Sequence, residues 1–295
     1  MRFDPNARLD TSEVSDTRRS GGRGVAVGGG IGTIVLLLIG LLFGVNPFDG
    51  GSPDQAPGAA PADNRELEAQ CKTGADANER DDCRVVAIVN SVQDYWGQEF
   101  ERRGSRYQPA QTQLYSQGVQ SGCGAASSQV GPFYCPVDDT VYLDLTFWQD
   151  LKDKLGAEGG PFAQAYVVAH EYGHHIQDLL GTMEQVRGDE QGAGSPAVRL
   201  ELQADCYAGL WAAHATTARS ESGTPLLERL TEADIAQGLD AAAAVGDDRI
   251  QQRTQGEVNP DAWTHGSAEQ RQRWFTTGYK TGDLERCDTF SATDL

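Results

Sequence analysis

The sequence predicts an α+β domain, mainly helical, with a small β-sheet ahead of its central helix and one transmembrane helix before it. Three observations carry that expectation. Apolar residues recur at three- and four-residue steps in several long stretches. Short runs of β-formers lie between the first two of these stretches. Residues 24–45, GVAVGGGIGTIVLLLIGLLFGV, carry no charge. At about 1.5 Å per residue that run spans roughly 30 Å of hydrocarbon.

In chain order, residues 1–23 are polar and of mixed charge and read as a disordered tail. The apolar run 24–45 reads as an uncleaved anchor, and its glycines would permit close helix pairing. Arg18, Arg19 and Arg23 precede it, and no Lys or Arg follows until Arg65. The positive-inside rule then predicts a single-pass cell-membrane protein with a cytoplasmic N-terminus and the bulk outside. Residues 46–64, rich in Pro, Gly and Ala, read as a flexible linker. The extracytoplasmic domain is expected over 65–295. A helix over 84–102 follows from the spacing of Val85, Val89, Val92, Trp96 and Phe100. Strands are expected within 112–120, 131–136 and 140–145. The central helix covers 161–180, with Pro161 near its start and Gly181 just beyond its end. A loop then leads to a helix opened by Ser195-Pro196 and running to about Thr217. Further helices fit 231–246 and the stretch from Ser267, where Ser-x-x-Gln has the capping-box form.

The net charge of −19 argues against a nucleic-acid partner and against docking on anionic lipid, because both require a basic surface. All six cysteines follow the apolar run, which suits an oxidising compartment. Two pairs share the same separation, and the expected bridges are Cys71–Cys83, Cys123–Cys135 and Cys206–Cys287.

The chemistry concentrates in AYVVAHEYGHHIQDLLG (165–181), which holds three of the five histidines. His170-Glu171-Tyr172-Gly173-His174 has the form H-E-x-x-H. On a helix, positions i and i+4 share a face, so both imidazoles can reach one Zn²⁺. Glu171 then meets water near the metal as a general base. Val167, Val168 and Ile176 are expected to pack this helix inward. A catalytic zinc takes three protein ligands. The third is expected from Glu201, with Asp205 one turn on, fixing the tautomer of His170 from behind. Their flanks, Leu200, Leu202, Cys206, Leu210 and Trp211, are apolar. His175 points away from the pair and reads as structural. His265 is a candidate oxyanion stabiliser, with Tyr166 or Tyr172 as alternatives. His214 reads as a surface residue. The strand TVYLDL (140–145) could offer an edge to an extended peptide.

H-E-x-x-H followed by E-x-x-x-D on a second helix resembles the gluzincin metallopeptidases. More closely, the chain resembles a bacterial family of neutral zinc metallopeptidases. The resemblance rests on GPFYCP (131–136), VYLDL (141–145), AYVVAHEYGHHIQ (165–177), LELQADCYAG (200–209) and HGSAEQR (265–271), and covers about residues 70–290. It implies a zincin-like fold and a zinc-dependent peptidase acting on a peptide or protein. It also implies His170, His174 and Glu201 as ligands and Glu171 as catalytic base. Two other functions stay open on the sequence: a non-catalytic cell-envelope binding or scaffold module with a structural zinc, and a zinc amidase acting on cell-wall material.

Overall fold

The computed structural model describes residues 1–18, 64–186, 190–220 and 223–295. Two short helices, α1 (Arg65–Gln70) and α2 (Gly74–Glu79), lead into the long α3 (Asp81–Arg102). A capping box of Thr73 and Asp76 opens α2. The apolar stripe of α3 runs through Val85, Val89, Val92 and Trp96, all with no exposed surface, as the spacing predicts. The helix α4 (Phe147–Asp153) precedes α5 (Pro161–Leu179), whose first residue is the expected proline. Ser195 caps α6 (Pro196–His214) by accepting from the Val198 N–H at 3.2 Å. The helices α7 (Glu232–Ala244), α8 (Asp247–Thr254) and α9 (Ala268–Thr281) complete the set, and a Ser267/Gln270 capping box opens α9.

The main sheet has four strands in the order β2 (Val14–Asp16), β3 (Gln111–Tyr115), β7 (Thr140–Asp144), β6 (Phe133–Cys135). The first three run parallel, and β6 returns antiparallel to β7. A hairpin of β4 (Gly118–Ser121) and β5 (Gly124–Ser127) encloses its own small core around Tyr115, Val119, Phe133 and Tyr142. The remaining pair joins β1 (Arg2–Phe3) to β8 (Leu227–Arg229). The three expected disulfides are present: Cys71–Cys83, Cys123–Cys135 and Cys206–Cys287.

The helices pack closest where glycine removes a side chain. A Cβ on Gly209 of α6 would meet the Phe275 carbonyl oxygen at 2.0 Å, and one on Gly278 of α9 would meet that of Cys206 at 2.0 Å. Backbone therefore lies against backbone along this pair.

Two sequence expectations need correction. The first 23 residues are not all a disordered tail, because residues 1–18 are built into the domain. Val14 and Phe3 are buried, and β2 lies in register on β3. Arg18 reaches Asp82 of α3 at 3.3 Å, and Asp16 N–H donates to Asn64 Oδ1 at 2.9 Å. These strands are short, and their partners lie far along the chain, so no local pattern announces them.

The second correction concerns the membrane. Among the described residues, no helix is long and apolar enough to cross a bilayer. The run 24–45 and the linker up to residue 63 lie outside the described residues. A single span between them would place residues 1–18 and the 65–295 domain on opposite faces of a bilayer. The sheet instead joins the two segments strand to strand. The expected fold with a preceding transmembrane helix, and the single-pass cell-membrane location, are therefore contradicted.

Substituting Val14→Asp tests the integration of the N-terminal segment. An unpaired charge at this fully buried strand position is expected to destabilise the protein by about 2–4 kcal/mol. Thermal melting followed by circular dichroism should show the drop. A melting curve superimposable on the parent would mean that β2 contributes nothing to the fold.

Candidate metal centre

Helix α5 presents His170 and His174 on one face, as i,i+4 geometry requires. Helix α6 brings Glu201 against them. His170 Nε2 lies 3.2 Å from Glu201 Oε2, and His174 Nε2 lies 3.4 Å from Glu201 Oε1. All three side chains are buried and form one of the groupings able to hold an ion. Ligand atoms placed tetrahedrally about 2.0–2.1 Å from a zinc stand roughly 3.3 Å apart. The separations here match that figure.

Hydrogen bonding sets which ring nitrogens carry lone pairs. Gln203 Nε2 donates to the Cys287 carbonyl at 3.0 Å, so its Oε1 accepts from Gln177 Nε2 at 3.1 Å. Gln177 Nε2 also donates to the Leu200 carbonyl at 2.6 Å. Its Oε1 is left to accept from His174 Nδ1 at 2.8 Å. His174 Nε2 is therefore a bare lone pair, buried, with no hydrogen-bond partner, facing a carboxylate oxygen. Two acceptors held face to face call for a cation between them. That orphaned nitrogen is the structural sign that the residues present fit a metal.

Behind His170, Asp205 accepts from Nδ1 at 2.9 Å, which leaves Nε2 turned toward Glu201. Asp205 is itself gripped by Arg271 of α9, from Nε to Oδ2 at 2.8 Å and from Nη2 to Oδ1 at 3.0 Å. The Tyr166 hydroxyl donates to the same Oδ1 at 2.5 Å. Burial alone would raise the Asp205 carboxyl, but the Arg271 and His170 charges outweigh it and hold it below the usual aspartate range. Burial likewise works against a charge on His170, and Asp205 overcomes it, lifting that imidazole to about 9. Burial lowers His174 to about 4. In Glu201 the desolvation is outweighed by the imidazoles of His174 and His170, which hold the carboxylate well below its ordinary value.

Glu171 sits beside the ligand face. Its Oε2 is buried and has no hydrogen-bond partner. Burial pushes this carboxyl up to about 7, against the opposing pull of His170 and with the Glu201 charge adding to it. A narrow cleft opens on Glu171 and His170, and most of its lining is apolar.

The remaining candidates separate. His265 Nδ1 bonds to Asp247 Oδ1 at 3.1 Å, and its imidazole is near enough to Glu201 to act on that carboxylate, which places it at the margin of the centre. Asp247 Oδ2 accepts the backbone N–H groups of Thr264, His265 and Gly266, fixing the loop that carries the imidazole. Tyr172 turns away to Thr112 Oγ1 at 2.8 Å, and Tyr166 is engaged by Asp205. His175 bonds to the Tyr134 hydroxyl and the Gln108 carbonyl, outside the ligand set. His214 is not simply a surface group: its ring stacks on Tyr95, and Nε2 reaches the Gly282 carbonyl at 3.0 Å. The strand TVYLDL is not an edge, since β7 lies between β3 and β6. The neighbouring β6 is the edge, and its Tyr134 N–H reaches Glu171. Cys71 and Cys83 also stand near Asp82, but their sulfurs are joined in a disulfide and are unavailable as thiolate ligands.

Sequence reasoning missed Arg271, Asp247, Gln177 and Gln203. Arg271 had a signal: Ala268, Arg271, Phe275 and Gly278 follow the inward spacing of α9, and all are buried. An arginine on an inward stripe requires a buried carboxylate.

A histidine pair with Glu171 beside it on one helix, and Glu201 as the acidic third member on another, define the class of metallopeptidase-like proteins with H-E-x-x-H and E-x-x-x-D motifs. The chain belongs to the family described as "Putative neutral zinc metallopeptidase", whose match covers residues 4–290 and so includes β2. It is similar to the uncharacterized protein Mb2605 of Mycobacterium bovis, 54% identical over 262 residues and 86% of each chain. It is also similar to the uncharacterized protein YpfJ of Escherichia coli K12, 40% identical, with 96% of this chain and 97% of that one covered. No solved structure matches it.

The substitution Arg271→Met leaves Asp205 buried without its cationic partner, held only by His170 and the Tyr166 hydroxyl. A loss of about 3–5 kcal/mol is expected, read from denaturant unfolding at neutral pH. The sign of the pH effect follows from the lowered Asp205 carboxyl. Its stabilisation is complete above the unfolded value near 3.9 and fades as pH falls through the lower folded value. The difference between parent and variant should therefore shrink toward strong acid. A constant difference down to pH 2 would contradict the assignment.

Proposed function

We propose that the protein is a zinc-dependent peptidase that hydrolyses peptide bonds with Glu171 as general base. The observation that carries this reading is the buried lone pair of His174 Nε2, orphaned and aimed at Glu201 beside His170. His170, His174 and Glu201 would hold the metal. Zinc bound there supplies Lewis acidity toward a carbonyl and acidifies water.

The chain's own residues do the rest. Asp205, held by Arg271 and Tyr166, keeps His170 Nδ1 protonated and its Nε2 directed inward. Gln177 does the same for His174. The free Oε2 of Glu171 takes the proton of the attacking water and passes it to the departing amine. A carboxylate beside the ligand face with one oxygen unpartnered is placed to make both transfers. His265, with Nδ1 committed to Asp247, retains Nε2 to donate to the developing oxyanion. The apolar cleft excludes water from around the reacting bond.

The substitution Glu171→Gln should retain stoichiometric zinc, measured by elemental analysis, and lose about 10²–10⁴-fold in hydrolysis of a peptide library. Parental cleavage rates in that variant would remove Glu171 from the mechanism. A parent protein that binds zinc and cleaves no peptide would remove the peptidase reading.

A further inference from the structure

We propose that Tyr134 is a positioning residue for Glu171: its hydroxyl, held by His175 and Asp178, clamps the edge strand β6 onto α5 and so sets the place of that strand beside the Glu171 carboxylate. The inference rests on the peptidase reading and adds residues that act through Glu171. β6 is the three-residue strand Phe133–Cys135, and β7 supports it on one side only. The backbone groups on its free side have no strand to pair with. Tyr134 engages α5 at two levels. Its backbone N–H reaches the Glu171 carboxylate, whose Oε2 has no hydrogen-bond partner. Its hydroxyl donates to Asp178 Oδ2 at 2.8 Å. The same hydroxyl lies 3.1 Å from His175 Nδ1 and 3.2 Å from Asp139 Oδ1.

Glu171, His175 and Asp178 stand at i, i+4 and i+7 of α5, so they form one stripe over two turns. One residue of β6 therefore meets the helix along about 10 Å of its length. A single contact would leave the strand free to rock about it, whereas two contacts on one stripe fix both its height and its angle. The anchoring groups are held in turn. His175 Nε2 donates to the Gln108 carbonyl at 2.8 Å, and Gln108 Nε2 donates to Asp139 Oδ2 at 3.2 Å. A closed ring thus runs from α5 through the lead into β3 and the turn before β7, and back to the tyrosine. Tyr134 and His175 are both buried. Burial and the Asp178 carboxylate keep the phenol protonated, so it remains a donor. The third histidine of HEYGHH (170–175) thereby serves the base and leaves the ligand set to the other two.

The test uses the zinc-loaded full-length protein and the fluorogenic peptide that the parent cleaves fastest in a library. Tyr134→Phe removes the hydroxyl and keeps the ring. It should lower kcat by about 10–100-fold, while KM and the zinc affinity, read by competition with a chelator, stay parental. Amide exchange followed by NMR should be faster at residue 134 and parental in β7. Asp178→Ala should reproduce the loss in kcat, and Asp178→Asn, which keeps an acceptor for the hydroxyl, should recover most of it. Adding Asp178→Ala to Tyr134→Phe should cost little more than either change alone. Circular dichroism matching the parent qualifies each variant as folded, and if Tyr134→Phe does not fold the two Asp178 variants decide. A parental kcat in folded Tyr134→Phe, an equal loss in Asp178→Asn and Asp178→Ala, or a loss that appears in KM or zinc affinity overturns the clamp. A parent that binds zinc and cleaves no peptide overturns the peptidase reading, whereas unchanged amide exchange in Tyr134→Phe overturns the clamp independently of it.

Discussion

The structure turns on one buried carboxylate. Asp205 has no exposed surface, and three elements converge on it: His170 and Tyr166 from α5, Arg271 from α9, and its own helix α6. An aspartate at such a site is tolerable only if it is paired and its oxygens are satisfied. The guanidinium meets both oxygens at once, which fixes the carboxylate in angle as well as in place. A proton donor on His170 Nδ1 then has a single acceptor to find, and the other ring nitrogen is committed to the opposite side. The tautomer and direction of His170 are therefore set by a contact between helices remote in sequence.

That contact needs α6 and α9 to approach closely. Gly209 and Gly278 allow it by letting each helix rest against a carbonyl of the other. The Cys206–Cys287 bridge ties the segment after α9 back onto α6 next to Asp205. The same bridge holds the Cys287 carbonyl where Gln203 can donate to it. Through Gln203 and Gln177 this fixed carbonyl determines which nitrogen of His174 is bare. Both histidines thus receive their orientation from the α6–α9 pairing, one through Asp205 and one through a relay of amides. A polar network of this kind, with each member assigned a single donor or acceptor role, specifies one arrangement more sharply than an apolar core would.

What the sequence discloses is what repeats locally. His170 and His174, and again Glu201 and Asp205, are spaced one helical turn apart, so the helix itself supplies their common face. Pro161, Ser195 and Ser267 mark helix starts by chemistry that acts within a few residues. The partners that complete the site are different in kind. Asp247 reaches His265 across 18 residues and Arg271 reaches Asp205 across 66. Nothing in the neighbourhood of either residue states that distance. The strands β1 and β2 were hidden for a related reason: two or three residues of mixed polarity have no periodicity, and their burial is conferred by the strands they join. The charge asymmetry around residues 24–45 was real as a pattern. It could not reveal that the chain on its N-terminal side returns to the same sheet.

The N-terminal strands also change how the site is held. β2 pairs with β3, β3 with β7, and β7 with β6, so the segment at one edge of the sheet is linked through the ladder to the strand whose backbone meets Glu171. The opposite edge is braced independently, since Cys123–Cys135 ties the β4–β5 hairpin to β6. Glu171 therefore lies between two rigid bodies, a helix that supplies its backbone and a braced edge strand that supplies an N–H. A carboxylate with an unpartnered oxygen tolerates such a position only while its surroundings cannot collapse onto it. The orphaned oxygen and the rigid edge are two sides of one constraint: the fold keeps open, at a cost in solvation, the place where a base would act.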